Sequence, residues 1–237
     1  MNVIQVRGLR YRYPDGTQAL EGVDFHLEAG ECVALLGANG SGKTTFLLHL
    51  NGLLEGDGEI EVCGTRLEKK SLKAIRARIG FVFQDSDDQL FMPTLAEDVA
   101  FGPLNQGTPR EEAMARATRA LEQAGLGSLE NKAPYHLSSG EKRRAAIAGV
   151  LAMNPEILAL DEPSTSLDPP GRRELLALLG ELPQAKIIAT HDVDFAEALA
   201  TRAVFFERGR IAGEGTVAEI AERFNWHSRP RTSPAHR

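Results

Sequence analysis

Apolar side chains in the opening part of the chain come in short, often alternating runs: Val3 to Leu9, Val23 to Leu27 and Glu31 to Leu36. Runs of this kind predict strands. Pro14-Asp15-Gly16, Gly22 and Ala29-Gly30 separate them and favour turns. Gly37 to Lys43 is glycine-rich, and Thr44 to Leu50 reads as a helix that stops at Asn51-Gly52. Glu59 to Val62 and Ile79 to Phe83 predict two more strands.

From Pro93 to Met153 the signals are those of helices. Thr94 with Glu97, Thr108 with Glu111 and Ser138 with Glu141 have capping-box spacing, and Pro109 stands at a first helical position. The helix from Pro109 should end at Gly125. The one from Ser138 should run to Met153, because Asn154 precedes a proline and is pushed out of helical geometry. This predicts an all-helical insert over about 93–153. Strands and helices then alternate: Ile157 to Leu160, a helix capped by Asp168-Pro169, Lys186 to Thr190, Val193 to Leu199 and Val204 to Phe206. Thr216 with Glu219 caps a last short helix. Alternation predicts an α/β fold with a mostly parallel sheet covered on both faces. We expect one domain over 1–224 and a disordered tail over 225–237, where prolines, serines and arginines gather. Metal binding by His227 and His236 is the alternative for that tail.

Composition narrows the function classes. With 237 residues and 42% hydrophobic content, the chain can build a core without disulfide or metal staples. Its net charge of −6 argues against a general nucleic-acid binder. Two cysteines, Cys32 and Cys63, fit free thiols in strands and a reducing compartment. The longest apolar run, Ala145 to Met153, is far shorter than the about twenty residues a spanning helix needs. Met1 to Pro14 lacks the apolar core of a signal peptide. The expectation is a cytosolic protein whose membrane role, if any, passes through a partner.

Three motifs carry chemistry. Gly37-Ala-Asn-Gly-Ser-Gly42-Lys43-Thr44 fits the phosphate-loop pattern and sits between a predicted strand and helix. Backbone N–H groups and the helix N-terminus favour phosphate, Lys43 reaches the outer phosphates, and the Thr44 hydroxyl can ligate Mg²⁺. Ile157 to Leu160 ends in Asp161-Glu162. Beside a phosphate loop, Asp161 can hold Mg²⁺ or its waters, and Glu162 can act as general base toward water. Leu137-Ser138-Ser139-Gly140-Glu141 opens a helix. On its own it reads as a cap; a serine at a helix N-terminus is also a site for a terminal phosphate.

Taken in order, the phosphate loop, Gln84 after a strand, L-S-x-G-E and L-D-E resemble the ATPase subunits of ATP-binding-cassette (ABC) transporters. Ser166-Leu167-Asp168 looks like that family's D-loop, and His191 like its switch histidine. The resemblance runs from about Val3 to Ala221. It implies a P-loop NTPase core with an antiparallel β edge subdomain and the helical insert. It also implies ATP and Mg²⁺ as cofactors, and nucleotide contacts from Tyr13, Gly37, Ala38, Asn39, Gly40, Ser41, Gly42, Lys43, Thr44 and Thr45. Tyr13 would stack on adenine, with Tyr11 as runner-up. Thr44, Gln84 and Asp161 would form the Mg²⁺ site, and Glu162, His191, Gln84 and Lys43 the catalytic set. Ser138, Ser139, Gly140 and Glu141 would contact ATP on a partner subunit, in a homodimer or with a closely related ATPase. Asp168 would serve the D-loop and cap a helix as well. Two departures stand out: Ser139 replaces the family's usual glycine, and Ser164-Thr165-Ser166 replaces commoner small residues.

Phe83 to Phe91, with Glu97 to Pro103, looks like the ATPases of energy-coupling-factor importers. Leu47 to Gly52 and Glu141 to Gly149 are similar to their cobalt and nickel branch. This implies an integral coupling protein and a substrate-binding membrane subunit as partners, at the cytoplasmic face of the membrane, and cobalt or nickel as cargo, with a vitamin as runner-up. Leu90, Phe91 and Met92 would line a groove for a coupling helix or pack the insert. A soluble cassette acting on DNA or ribosomes is the rival class. The gap of about fifty residues between Gln84 and the signature is too short for long coiled-coil arms, and only one cassette is present. A non-catalytic ATP sensor is the third class, and intact Lys43, Asp161, Glu162 and His191 argue against it.

Overall fold

The computed structural model describes residues 1–226. Two sheets divide the strands. β1 (Asn2–Arg12), β2 (Gln18–Glu28), β4 (Asp57–Val62) and β5 (Thr65–Arg66) form an antiparallel sheet in the order β2-β1-β4-β5. The second sheet has six strands, β10-β9-β3-β8-β7-β6. Its members are β3 (Cys32–Leu36), β6 (Ile79–Val82), β7 (Ile157–Asp161), β8 (Ala185–Ala189), β9 (Arg202–Glu207) and β10 (Arg210–Gly215). Every neighbouring pair except β9–β10 is parallel. β3, β7 and β8 are buried throughout, as expected of strands covered on both faces. This register has the consequence that matters for function. The carboxyl ends of β3, β8, β7 and β6 lie side by side, so the segments that follow them share one edge.

The faces of this sheet carry separate cores. On one side β1, β2 and helix α1 (Lys43–Leu50) pack over Val33, Leu35, Phe81 and Ile187. On the other, α3 (Leu95–Asn105), α4 (Arg110–Gln123), α5 (Ser139–Leu151) and α6 (Pro169–Glu181) pack over Leu158, Leu160 and Ile188. A third cluster joins β9 to α7 (Val193–Leu199) and α8 (Val217–Arg223). The Arg202 guanidinium ties the layers together: it donates to Glu31 at 2.7 Å, to the His26 carbonyl at 2.7 Å and to Glu214 at 2.8 Å.

Helices α3 to α5 fill the stretch that the capping signals marked, and their caps differ in detail. Ser138–Glu141 and Thr216–Glu219 form reciprocal boxes. Thr94 accepts from the Glu97 N–H, but Glu97 binds the Thr94 hydroxyl rather than its backbone. The Thr108–Glu111 box is not made. Thr108 N–H closes α3 on the Pro103 carbonyl at 3.1 Å after the left-handed Gly107, and Pro109 keeps an extended ψ of 144°, so α4 starts at Arg110. α5 ends at Leu151, short of Met153.

Cys32 lies buried in β3, where burial raises its thiol to about 11. Cys63 is not in a strand; it takes φ 47° in the turn between β4 and β5. Helix α2 (Leu72–Arg78), β5 and β10 had no clear sequence signal, being short or rich in glycine and charge. Asn225 and Trp226, counted in the expected tail, are ordered against α8: Trp226 N–H donates to Ala221 O at 2.7 Å and its ring meets Phe205 edge-on. The rest of that tail, with His227 and His236, lies outside the described residues.

Gly80 shows how closely the helical layer sits on the sheet. A Cβ there would lie 2.0 Å from Val150 Cγ1, 3.2 Å from Pro155 and 3.3 Å from Leu158. Val150 is β-branched on a packed helix and cannot rotate away. Gly80→Ala should therefore cost about 1–3 kcal/mol, read as a lower denaturation midpoint at unchanged m-value. An unchanged midpoint would show that α5 moves freely over β6.

Candidate functional site

The turn after β3 is built by glycines that admit no side chain. A Cβ on Gly37 (φ 137°) would lie 2.2 Å from the Phe206 carbonyl, and one on Gly42 (φ 112°) 2.7 Å from the Ala19 carbonyl. The loop is thereby pressed between β2 and β9, with Ala38, Asn39 and Gly40 exposed at its tip. Lys43 begins α1, buried, and its Nζ donates to the loop carbonyls of Gly37 at 2.8 Å and Ala38 at 3.1 Å. Burial lowers the Lys43 pKa, while Glu162 and Asp161 oppose that shift. The Ser41 hydroxyl is buried without a partner, and Thr44 is exposed at the helix start.

Asp161 and Glu162 close β7, 3% and 6% exposed. Burial raises the Asp161 pKa, and the adjacent Glu162 charge adds to it; the Thr44 hydroxyl and Lys43 oppose. Among the described residues Asp161 Oδ1 has no partner. Glu162 takes a left-handed φ of 45°, a conformation that costs a non-glycine residue about 1 kcal/mol or more. Its N–H is held by the Ala189 carbonyl of β8 at 2.8 Å. That pin sends the carboxylate toward His191, whose Nδ1 donates to Glu162 Oε2 at 2.9 Å and whose backbone N–H lies at 3.4 Å. Glu162 Oε1 is buried and has no partner among the described residues. One carboxylate oxygen is thus oriented by the histidine and the other is free to accept a proton.

Tyr13, Gly40, Lys43, Thr44, Gln84, Glu162 and His191 all line one cleft of about 520 Å³. Asn39, Gly42 and Thr45 line it too. An adjoining cleft of about 670 Å³ shares Thr44 and Gln84 with it and adds Asp161 and Ser139. Ser138, Gly140, Glu141 and Asp168 line neither. Ser138 and Asp168 act as N-caps, Asp168 accepting from Gly171 N–H at 2.9 Å. The Ser139 hydroxyl donates to the Ser166 carbonyl at 3.3 Å, which ties the signature to the D-loop segment of the same chain. Tyr11, the alternative to Tyr13, stays out of the cleft and packs on the core beside β1.

Arg143 lies in the run Lys142-Arg143-Arg144 directly after the signature. It is buried, and it donates to the carbonyls of Phe83 and Gln84 at 2.6 Å each. Its neighbour Lys142 pairs with Asp87 at 2.6 Å. The signature helix and the Gln84 segment are thus clamped together. Spacing cannot show such a contact, because about sixty residues of chain intervene.

The residues present fit Mg²⁺ and a triphosphate. Buried Asp161, whose Oδ1 has no partner among the described residues, lies beside the Thr44 hydroxyl and next to a loop in which Gly37 and Gly42 have no room for a Cβ. Thr44, Asp161 and Gln84 would hold the ion.

The family model described as ABC transporter matches residues 20–165. A putative ABC transporter ATP-binding protein of Geobacter sulfurreducens is 50% identical over 92% of this chain and 88% of its own length. The energy-coupling factor transporter ATP-binding protein EcfA of Methanocaldococcus jannaschii is 47% identical over 93% of this chain and 81% of its own. Among solved structures, cbiO1 from Clostridium perfringens, described as part of the ABC transporter complex cbiONQ, superposes with TM-score 0.85 at 38% identity, covering 94% of this chain and 92% of that one. An ATP-binding cassette dimer in a post-hydrolysis state with ADP and Pi superposes at TM-score 0.81 and 29% identity, covering 90% and 98%. The chain belongs to the ABC transporter family. It is an ABC ATPase of the energy-coupling-factor type, an enzyme that couples ATP hydrolysis to transport.

An ionised Asp161 costs the empty site stability. A raised carboxyl pKa gives a contribution that is full below the ordinary Asp range and lost as pH rises through the native value. Asp161→Asn should therefore raise the melting temperature of nucleotide-free protein at pH 7, by an amount equivalent to about 1 kcal/mol, and the gain should shrink in acid. The same variant should lose Mg²⁺-dependent ATP affinity. A melting temperature that falls at pH 7 would mean the carboxylate stabilises the empty fold.

Proposed function

We propose that the chain hydrolyses ATP with Glu162 as general base and drives an energy-coupling-factor importer through a membrane partner. The observation that carries the catalytic part is the buried Glu162 carboxylate, oriented by His191 on one oxygen and open on the other. Water placed between Oε1 and the γ-phosphorus bonds through its oxygen to phosphorus and gives its proton to Glu162 as the P–O bond to ADP breaks. Lys43 neutralises charge on the outer phosphates, and the loop N–H groups bind the rest. Mg²⁺ at Thr44, Asp161 and Gln84 would draw charge from the β- and γ-phosphate oxygens. Tyr13 lines the same cleft, where its ring would stack on adenine.

Ser138 to Glu141 would complete the site of a second subunit, in an isologous dimer. The position of Ser138, Gly140 and Glu141 outside both of this chain's clefts supports that reading, as does the dimeric state of the ADP-bound relative. Glu162→Gln should bind ATP yet turn over at least about a hundredfold more slowly, accumulating as an ATP-bound dimer on size-exclusion chromatography. Lys43→Ala should lose nucleotide and stay monomeric. Near-normal turnover by Glu162→Gln would sink the assignment of the base.

Among the described residues no helix is long and apolar enough to cross a membrane, so we place the chain peripherally on a membrane partner, at the cytoplasmic face. The candidate seat is a cleft of about 660 Å³ between α2, α3 and α5, floored by Leu90, Val99 and Val150. At its edge Phe91 is 61% exposed and meets Phe101 edge-on at 5.0 Å. Leu90 both lines this cleft and packs on the helical core. The likeness of Leu47 to Gly52 and Glu141 to Gly149 to the cobalt and nickel branch supports a metal cargo, with a vitamin as second reading. Phe91→Asp should leave ATPase activity of the isolated chain within about twofold, because an exposed substitution changes stability little, while abolishing uptake in cells. Uptake at the normal rate would move the docking surface elsewhere.

A further inference from the structure

Four residues form a closed ring beside the nucleotide cleft. The Tyr13 and Thr45 hydroxyls are 3.0 Å apart. The Tyr13 ring meets Tyr11 edge-on at 4.9 Å, and Tyr11 meets His49 edge-on at 4.7 Å. His49 Nδ1 then donates to the Thr45 carbonyl at 2.7 Å, returning to the residue where the ring began. Tyr11 and Tyr13 belong to the β1 side; Thr45 and His49 lie one turn apart on α1, directly after the phosphate loop. The ring therefore sets the plane of Tyr13 against the element that carries Lys43 and Thr44.

His49 is poorly explained as plain core. It is 1% exposed, and its Nε2 has no partner among the described residues. A buried unpaired acceptor costs stability, and phenylalanine would fill the space without it. What histidine adds is the bond from Nδ1 to Thr45, which fixes both the tautomer and the ring angle presented to Tyr11. Gly56 walls the other edge, since a Cβ there would come within 3.0 Å of Nε2. Burial also lowers the His49 pKa, which keeps the ring neutral.

We propose that His49 is a positioning residue for the nucleotide base: through Tyr11 it holds the Tyr13 ring at a set distance from the phosphate loop, so that adenine and triphosphate are bound in register. This rests on the reading of Tyr13 as the adenine platform.

The test separates base from phosphate. Competition against a fluorescent ATP analogue on the full chain gives affinities for Mg-ATP and for Mg-tripolyphosphate, which has no base. His49→Leu should lower the ratio of the two affinities by about three- to tenfold, the scale of an edge-on aromatic pair, and leave tripolyphosphate affinity within about twofold. His49→Phe, which keeps the ring and loses the bond to Thr45, should fall between. Tyr11→Leu breaks the ring from β1 and should match His49→Leu, and it stands in should that variant fail to fold. Tyr13→Ala is the control. If it lowers the ratio and the His49 and Tyr11 variants do not, the positioning role is overturned and the platform stands. Equal losses for ATP and tripolyphosphate in those variants would leave His49 a packing residue only. If Tyr13→Ala leaves the ratio unchanged, the platform lies elsewhere and both readings fall.

Discussion

Asp161 and Glu162 place two carboxylates below the surface beside one ammonium, Lys43, and much of the molecule serves to keep them there. Burial and the neighbouring Glu162 charge raise the Asp161 pKa. The sheet meets this in two ways. Parallel pairing of β7 with β8 provides the Ala189 carbonyl that pins Glu162 in a left-handed conformation and turns its side chain to His191. Parallel pairing of β8 with β3 sets the phosphate loop and Lys43 on the same edge. The remaining imbalance, an unpartnered oxygen on each carboxylate, makes the site receptive to a cation and to the proton of an attacking water. Strain at rest is thus the counterpart of affinity for charged ligands.

The second theme is fastening. The parts that must act together are tied by polar contacts over long stretches of chain. Arg143 and Lys142 hold the Gln84 segment to the signature helix. Ser139 holds the signature to Ser166, and the ring through His49 holds Tyr13 to α1. The contacts made by Ser139, Tyr13, Lys142 and Arg143 join segments 27, 32, 55 and 60 residues apart in the chain. The cleft between α2, α3 and α5 lies next to the Gln84 segment, since Gln89 lines it and donates to Phe81 O while accepting from Phe83 N–H. Motion of that segment would therefore be felt at a docking surface.

Ser139 illustrates how a departure from a family pattern acquires a local meaning. Read along the chain, a serine in place of glycine only adds bulk near a phosphate. In the fold its hydroxyl meets the Ser166 carbonyl, and Gly140 behind it stays close to Gly171, where a Cβ would sit 3.5 Å from the Gly171 Cα. The substitution thus supplies a contact that glycine cannot make.

The chain by itself determined the elements with strong periodicity or strong caps, and the chemistry that lies in contiguous motifs. β3, β7 and β8 are buried along their whole length and mostly apolar, α5 opens on a reciprocal box, and the phosphate loop is a single run of eight residues whose conformation depends on its own glycines. Thr108 misled because a threonine can close one helix or open the next, and only the Pro103 carbonyl within reach decided it. α2, β5 and β10 were missed because they are short and stabilised by neighbours rather than by their own pattern. Which of the two tyrosines lines the cleft, and what Arg143 and His49 touch, were decided by tertiary structure alone. Each depends on which side chain or carbonyl from a distant segment comes within about 3 Å, and hydrogen bonding at that range carries no periodic trace in the sequence.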